Sequence, residues 1–204
     1  MSVPTYRDYA WTRDRPDLFE AFCLSIIPNV TAEQVLAALP TPASTLIGTY
    51  SDLDERAFDN VGRGAPDVVG LLEYKSSVVM FEPNGVLGIN PTIMQPLSSG
   101  REIVCNYSGG HGVSHFYWFV DGDVRTSFEP LFAHSREGTE PDALLPLMSE
   151  IGGFHLDSPE TEPDEYLDDE ATFALCEAVT GIRVTDTLLL ESTYVLADIP
   201  TSEI

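Results

Sequence analysis

Apolar residues recur at helical spacing just after Pro16. Leu18, Phe19, Phe22, Cys23, Ile26 and Ile27 mark one side of a helix that Pro28 ends. Pro16 suits the first turn, where a missing N–H costs nothing. Thr31-Ala32-Glu33-Gln34 has the spacing of a capping box, so a short second helix follows. Val35, Leu36 and Leu39 form its buried side, and Pro40 and Pro42 stop it. Residues 1–14 read as an N-terminal arm anchored by Tyr6, Tyr9 and Trp11. Residues 51–66, where Asp, Arg and Gly alternate with apolar positions, read as a surface loop.

The period then changes. Val68 to Leu72 and Val78 to Phe81 are short runs rich in β-formers. Asn84-Gly85 carries a strong hairpin signal and predicts a return strand from Val86. A proline-punctuated segment follows, from Asn90 to Gly100. After it come Ile103 to Cys105, Val113 to Val120 and Val124 to Phe128, the last two joined by the hairpin pair Asp121-Gly122. These runs predict an antiparallel sheet of about five or six strands.

Helical spacing returns in the last third. Asp142 suits the cap of a helix through Leu144, Leu145, Leu147, Met148 and Ile151, with Gly152-Gly153 as its stop. Asp168 or Asp169 caps a second, through Phe173, Leu175, Cys176 and Val179, which Gly181 ends. Thr185 caps a third around Leu188 to Leu190. Helices, a hairpin-connected sheet and helices again make an α+β class, because the strands and helices are segregated rather than alternating. With 204 residues, the expectation is one domain over 1–204.

Charge adds what periodicity does not. The chain has 33 acidic and 10 basic residues, a formal net charge of −23. Such a surface repels phosphate and anionic lipid, which argues against nucleic-acid and membrane partners. No run approaches the roughly 18 apolar residues of a membrane helix, and the basic-then-apolar start of a signal peptide is absent. Eight of the fourteen residues from Asp157 to Glu170 are acidic and none is basic, so 157–169 reads as a solvated linker within the domain. Cys23, Cys105 and Cys176 lie among apolar neighbours, with no Cys-x-x-Cys pair. They read as buried free thiols of a reducing, cytoplasmic protein.

Register arithmetic supplies the candidate residues. A two-residue turn at Asp121-Gly122 pairs Phe119 with Val124, Trp118 with Arg125 and Tyr117 with Thr126. A symmetrical loop over Ser108 to Gly112 sets Tyr107 against Val113 and Cys105 against His115. Alternation then puts Ile103, Cys105, Tyr107, Val113, His115, Tyr117, Phe119, Val124 and Phe128 on a core face. The opposite face carries Glu102, Val104, Asn106, Ser114, Phe116, Trp118, Arg125, Ser127 and Glu129. Aromatic and arginine side chains dominate binding hot spots, so Phe116, Trp118 and Arg125, flanked by Glu102 and Glu129, are the expected recognition surface. Asp164, Glu165 and Asp168 add an acidic rim.

The alternative chemistry is a small cysteine hydrolase. Opposed residues place their Cβ atoms about 4.5–5.5 Å apart, close enough for a Cys105–His115 thiolate–imidazolium pair. Glycines 109, 110 and 112 offer backbone N–H groups for an oxyanion. Other motifs fail. Asp52-Leu53-Asp54 opens like a calcium loop, but Arg56 occupies the next ligand position. His111 and His115 lack a third metal ligand, and no dinucleotide fingerprint, phosphate loop or nucleophile elbow is present. No metal or cofactor is implied.

Several short segments together resemble a family of domains of unknown function widespread in actinomycetes. They include Glu82-Pro83-Asn84-Gly85-Val86-Leu87-Gly88, Pro96-Leu97-Ser98-Ser99-Gly100, Phe128-Glu129-Pro130-Leu131-Phe132 and Thr180-Gly181-Ile182-Arg183-Val184-Thr185. The resemblance spans about residues 15–195 and implies a bacterial domain without an assigned activity. The acidic charge and small α+β class, rather than the resemblance, give the expectation of a non-enzymatic module that binds a basic protein, in a toxin-neutralising or inhibitor role, by occlusion. Small-ligand sensing between sheet and helices, with Tyr107, Tyr117 and Trp118 near the ligand, is a further alternative.

Overall fold

The computed structural model describes residues 2–40, 42, 44–60, 67–110, 112–157 and 165–200. His111 and Asp164 therefore lie outside the described residues, as does most of the acidic linker. The strands are β1 (Phe22–Pro28), β2 (Ser44–Gly48), β3 (Asp67–Tyr74), β4 (Ser77–Pro83), β5 (Glu102–Ser108), β6 (Ser114–Val120), β7 (Asp123–Phe128), β8 (Arg136–Glu137) and β9 (Tyr194–Ile199). They form one antiparallel sheet in the order β2-β9-β3-β4-β1-β5-β6-β7-β8. The α+β class is as expected. The sheet is larger, with nine strands among the described residues instead of five or six.

Helices cover both faces. They are α1 (Pro16–Phe19), α2 (Ala32–Ala38), α3 (Tyr50–Asn60), α4 (Pro91–Leu97), α5 (Leu145–Ile151), α6 (Asp168–Thr180) and α7 (Asp186–Glu191). One face packs against α3, α5, α6, α7 and a 3-10 segment, Tyr6–Asp14. The other packs against α2, α4 and a 3-10 turn, Leu87–Ile89. The capping box at Thr31 is present, Gly181 ends α6 in the left-handed conformation, and Thr185 caps α7. The N-terminal arm docks: Tyr9 is fully buried, stacks on Phe173 at 5.7 Å and donates its hydroxyl to Glu177.

Four expectations fail for identifiable reasons. The helix expected through Ile27 stops at Phe19, and Phe22–Pro28 is the central strand between β4 and β1's other neighbour, β5. Phe22, Leu24 and Ile26 fill one core while Cys23 and Ile27 fill the other. A strand buried on both faces is apolar throughout, so its run also satisfies a helical period. The loop expected over 51–66 is helical to Asn60, with Tyr50, Leu53 and Ala57 buried at helical spacing. α6 begins at Asp168, so the expected linker ends earlier, and Leu167 and Leu144 occupy the cap positions expected for the acids.

The fourth failure is the Asn84-Gly85 hairpin. Asn84 is left-handed with φ 56°, as such a turn requires, yet no strand returns. Glu82 instead turns inward and is completely buried. Its carboxyl accepts the N–H of Leu87 at 2.8 Å and of Gly88 at 3.0 Å. Those N–H groups are thereby taken out of any ladder, and the chain passes into the 3-10 turn and α4, capped by Asn90. Beneath the turn lie Ser25, Cys23 and Cys105, with the two sulfurs 3.3 Å apart. Gly85 passes over the Glu82 side chain and Gly88 over Ser25 and the thiols, so neither position has room for a Cβ.

Candidate functional site

The expected recognition surface is largely enclosed. Phe116 has no exposed area and packs on Phe128 at 5.0 Å in the α6-side core. Trp118 is half-buried; its indole N–H donates to Glu102 at 3.1 Å, and the Arg125 guanidinium lies 5.3 Å over its ring. Arg125 is in turn paired with Glu140. Trp118, Arg125 and Glu102 do meet, but the indole N–H is already taken by Glu102 and the guanidinium by Glu140.

A bulge explains what arithmetic placed wrongly. Phe119 pairs with Val124 as expected, but the register shifts at the next residue, so Trp118 faces Thr126 and Tyr117 faces Ser127. Arg125 is the extra residue, and every later side chain changes face. Phe128 joins Phe116 instead of the Ile103 face. Ser127 and Glu129 move to the His115 side, away from Trp118.

Of the expected acidic rim, Glu165 and Asp168 stay together but line a cavity that none of Phe116, Trp118 and Arg125 lines. Glu165 forms an ion pair with Arg13 at 2.7 Å, and Arg13 also reaches Glu170. Tyr166 and His155 line the same cavity. Burial raises the pKa of Asp168, and that of Asp169 to about 6.

The Cys105–His115 pair does not form. Ser108 faces Ser114, which moves the hairpin two residues along, so Cys105 opposes Tyr117 and Tyr107 opposes His115. A shift of two preserves the face but removes the contact. Burial pushes the Cys23 and Cys176 thiols up, the opposite of an activated nucleophile. All three thiols are buried, and native-state alkylation should be slow at each until the protein unfolds. Mass spectrometry of iodoacetamide-treated protein checks this; rapid labelling of Cys105 alone would restore the hydrolase. Among the described residues, no three His, Cys, Asp or Glu groups converge on a metal-sized site.

A surface absent from the sequence reading lies between α1 and α3. Phe58 is 77% exposed, the most open large apolar side chain among the described residues. Asp54 sits one turn before it on the same helix face. With Asp17, Glu20 and Tyr50 they line a cleft of about 370 Å³, to which Asn84 and Gly110 also contribute. Arg15 is committed to Asp17. Among the described residues, Glu20 and Asp54 have no ion-pair partner, and burial beside Asp17 raises the Asp54 pKa. The available signal was the Tyr50, Leu53, Ala57 spacing, which makes α3 a helix and turns Phe58 outward.

No curated protein and no solved structure matches the chain. One family model does, over residues 2–203, nearly the whole length. The chain belongs to DUF6461, a family of unknown function.

Proposed function

We propose that this is a non-enzymatic, cytoplasmic protein-binding module of an actinomycete, which captures a basic partner and acts by occluding it. The observation that carries the reading is Phe58, an exposed aromatic ring bordered by Asp17, Glu20 and Asp54 in a cleft. Aromatic anchors supply interface energy, and a ring bordered by carboxylates suits the stem and charge of lysine or arginine. The net charge of −23 speeds capture of a positive surface. Basic enzymes that act on nucleic acid have that surface, which supports a toxin-neutralising or inhibitor role. Three unpaired cysteines support a reducing compartment.

Affinity capture from host lysate with wild type beside Phe58→Ser tests it. The variant changes an exposed side chain, so stability should move by no more than about 0.5 kcal/mol. A basic partner held by wild type, released by raised salt and lost in Phe58→Ser is the expected result. Failure to recover any basic partner at low and moderate salt, or equal retention by the variant, overturns the reading.

A further inference from the structure

The sheet face opposite Trp118 is left open toward the β8 edge. Tyr117, Ser127 and Glu137 stand opposite one another on β6, β7 and β8. His115 lies on the same face and packs against Tyr117, with ring centroids 4.8 Å apart. Past β7 the chain turns through Pro130–Phe132 and brings Glu129, Phe132 and His134 round the same space. They enclose a cleft of about 380 Å³.

Three features of this cleft are unspent. Glu129 and Glu137 have no ion-pair partner among the described residues, although two arginines are close in sequence. Arg125 is engaged by Glu140, and Arg136 by Asp142 and the carbonyl of Ala133. His134 lines the cleft with no hydrogen bond to its side chain among the described residues, and because its Nδ1 is enclosed, the ring meets a ligand through Nε2. Phe132 is 46% exposed at the rim, its ring perpendicular to that of His134. The carboxylates call for a cation, the imidazole for a hydrogen bond and the ring for a planar or aliphatic surface. A point ion does not answer this, because the groups do not converge on a metal-sized site. A guanidinium does: its five N–H donors form a planar fork, carboxylates take it bidentately, and its face stacks on aromatics.

We propose that this cleft binds a guanidinium group, with Glu129 and Glu137 as its counter-charges, His134 as a hydrogen-bonding partner and Phe132 against its plane. The site shares no residue with the Phe58 cleft and stands independently of it. The guanidinium belongs either to a free metabolite or to an arginine of a protein, and the two are separable.

The experiment is a titration of the full chain with agmatine and, separately, with N-acetyl-arginine amide, following the histidine ring protons by NMR. Saturable shifts of His115 and His134 are expected. Glu129→Gln/Glu137→Gln should weaken binding at least about tenfold, and Phe132→Ala should weaken it, while Phe58→Ser leaves it unchanged. Tighter binding of agmatine assigns the site to a free ligand; equal or tighter binding of the blocked amino acid assigns it to a protein arginine. No saturable shift at millimolar probe overturns the proposal. So does undiminished binding in the folded double variant, or a stronger response to zinc than to either probe.

Discussion

Gly88→Ala should be among the most destabilising single substitutions in this protein. A Cβ built on Gly88 lies 2.3 Å from the Ser25 hydroxyl, 2.8 Å from the Cys23 sulfur and 3.1 Å from the Cys105 sulfur. All three partners are fully buried on central strands, so none swings aside without moving β1 or β5. The turn would have to lift, which stretches the hydrogen bonds that the Leu87 and Gly88 N–H groups donate to Glu82 as well. Overpacking of a tight core costs about 1–3 kcal/mol, and loss of hydrogen bonds to a buried carboxyl adds to it. A loss of about 3 kcal/mol or more is expected in urea unfolding. Ser25→Ala offers a control, because the Ser25 hydroxyl is buried without a partner. Alone it should be nearly neutral, and combined with Gly88→Ala it should recover part of the loss. Full additivity of the two would show that the turn does not press on Ser25.

Glu82→Gln should cost most in acid and least in alkali. Burial raises the Glu82 pKa from its ordinary 4.5 to about 7, against the lowering effect of the two backbone N–H groups. Below pH 4.5 both the folded and the unfolded chain hold this proton. Between about 4.5 and 7 only the folded chain holds it, so its contribution to stability is lost as pH rises through that window. The span corresponds to about 3 kcal/mol. Glutamine has no such proton, and its NH2 meets a backbone N–H where the acid offered an acceptor, a cost of about 1–3 kcal/mol. Wild type should therefore exceed Glu82→Gln in stability at pH 4.5 and lose that advantage by pH 8. The difference between the two is the quantity to follow, because Asp169, with its pKa raised to about 6, tilts both proteins alike. A gap independent of pH would mean that Glu82 is ionised throughout.

This clasp also explains what was legible and what was not. Capping residues speak locally, so Thr31, Gly181 and Thr185 marked their helix ends correctly. The β6–β7 turn at Asp121-Gly122 was legible for the same reason. Asn84-Gly85 has the same local chemistry, but the buried Glu82 overrules it through hydrogen bonds that no dipeptide reveals. β1 was hidden because burial on both faces erases alternation. The Arg125 bulge was hidden because one extra residue leaves no compositional trace, and it moved Glu129 from the Trp118 surface to the His115 cleft. β9 was hidden because its partners β2 and β3 are distant in sequence. The Phe58 surface was missed with α3 itself. Arg125 does stack on Trp118, but their cross-strand pairing is lost to the bulge, and Glu102 and Glu140 engage the two side chains.

The position of β9 bears on how the chain is made. Among the described residues the last strand does not end the sheet; it lies between β2 and β3 and is the only strand there that β2 touches. Ser44 and its partner Asp198 are 154 residues apart. On a ribosome adding about 5–20 residues per second, β2 waits without a neighbour until Tyr194–Ile199 has emerged. The long closure must come before its contacts can stabilise anything. A message truncated before Tyr194 would yield a chain with one edge of β3 unpaired from Asp67 to Leu71 and β2 unattached. Emergence of β9 thus completes the sheet, and an unpaired β3 edge marks copies that lack it.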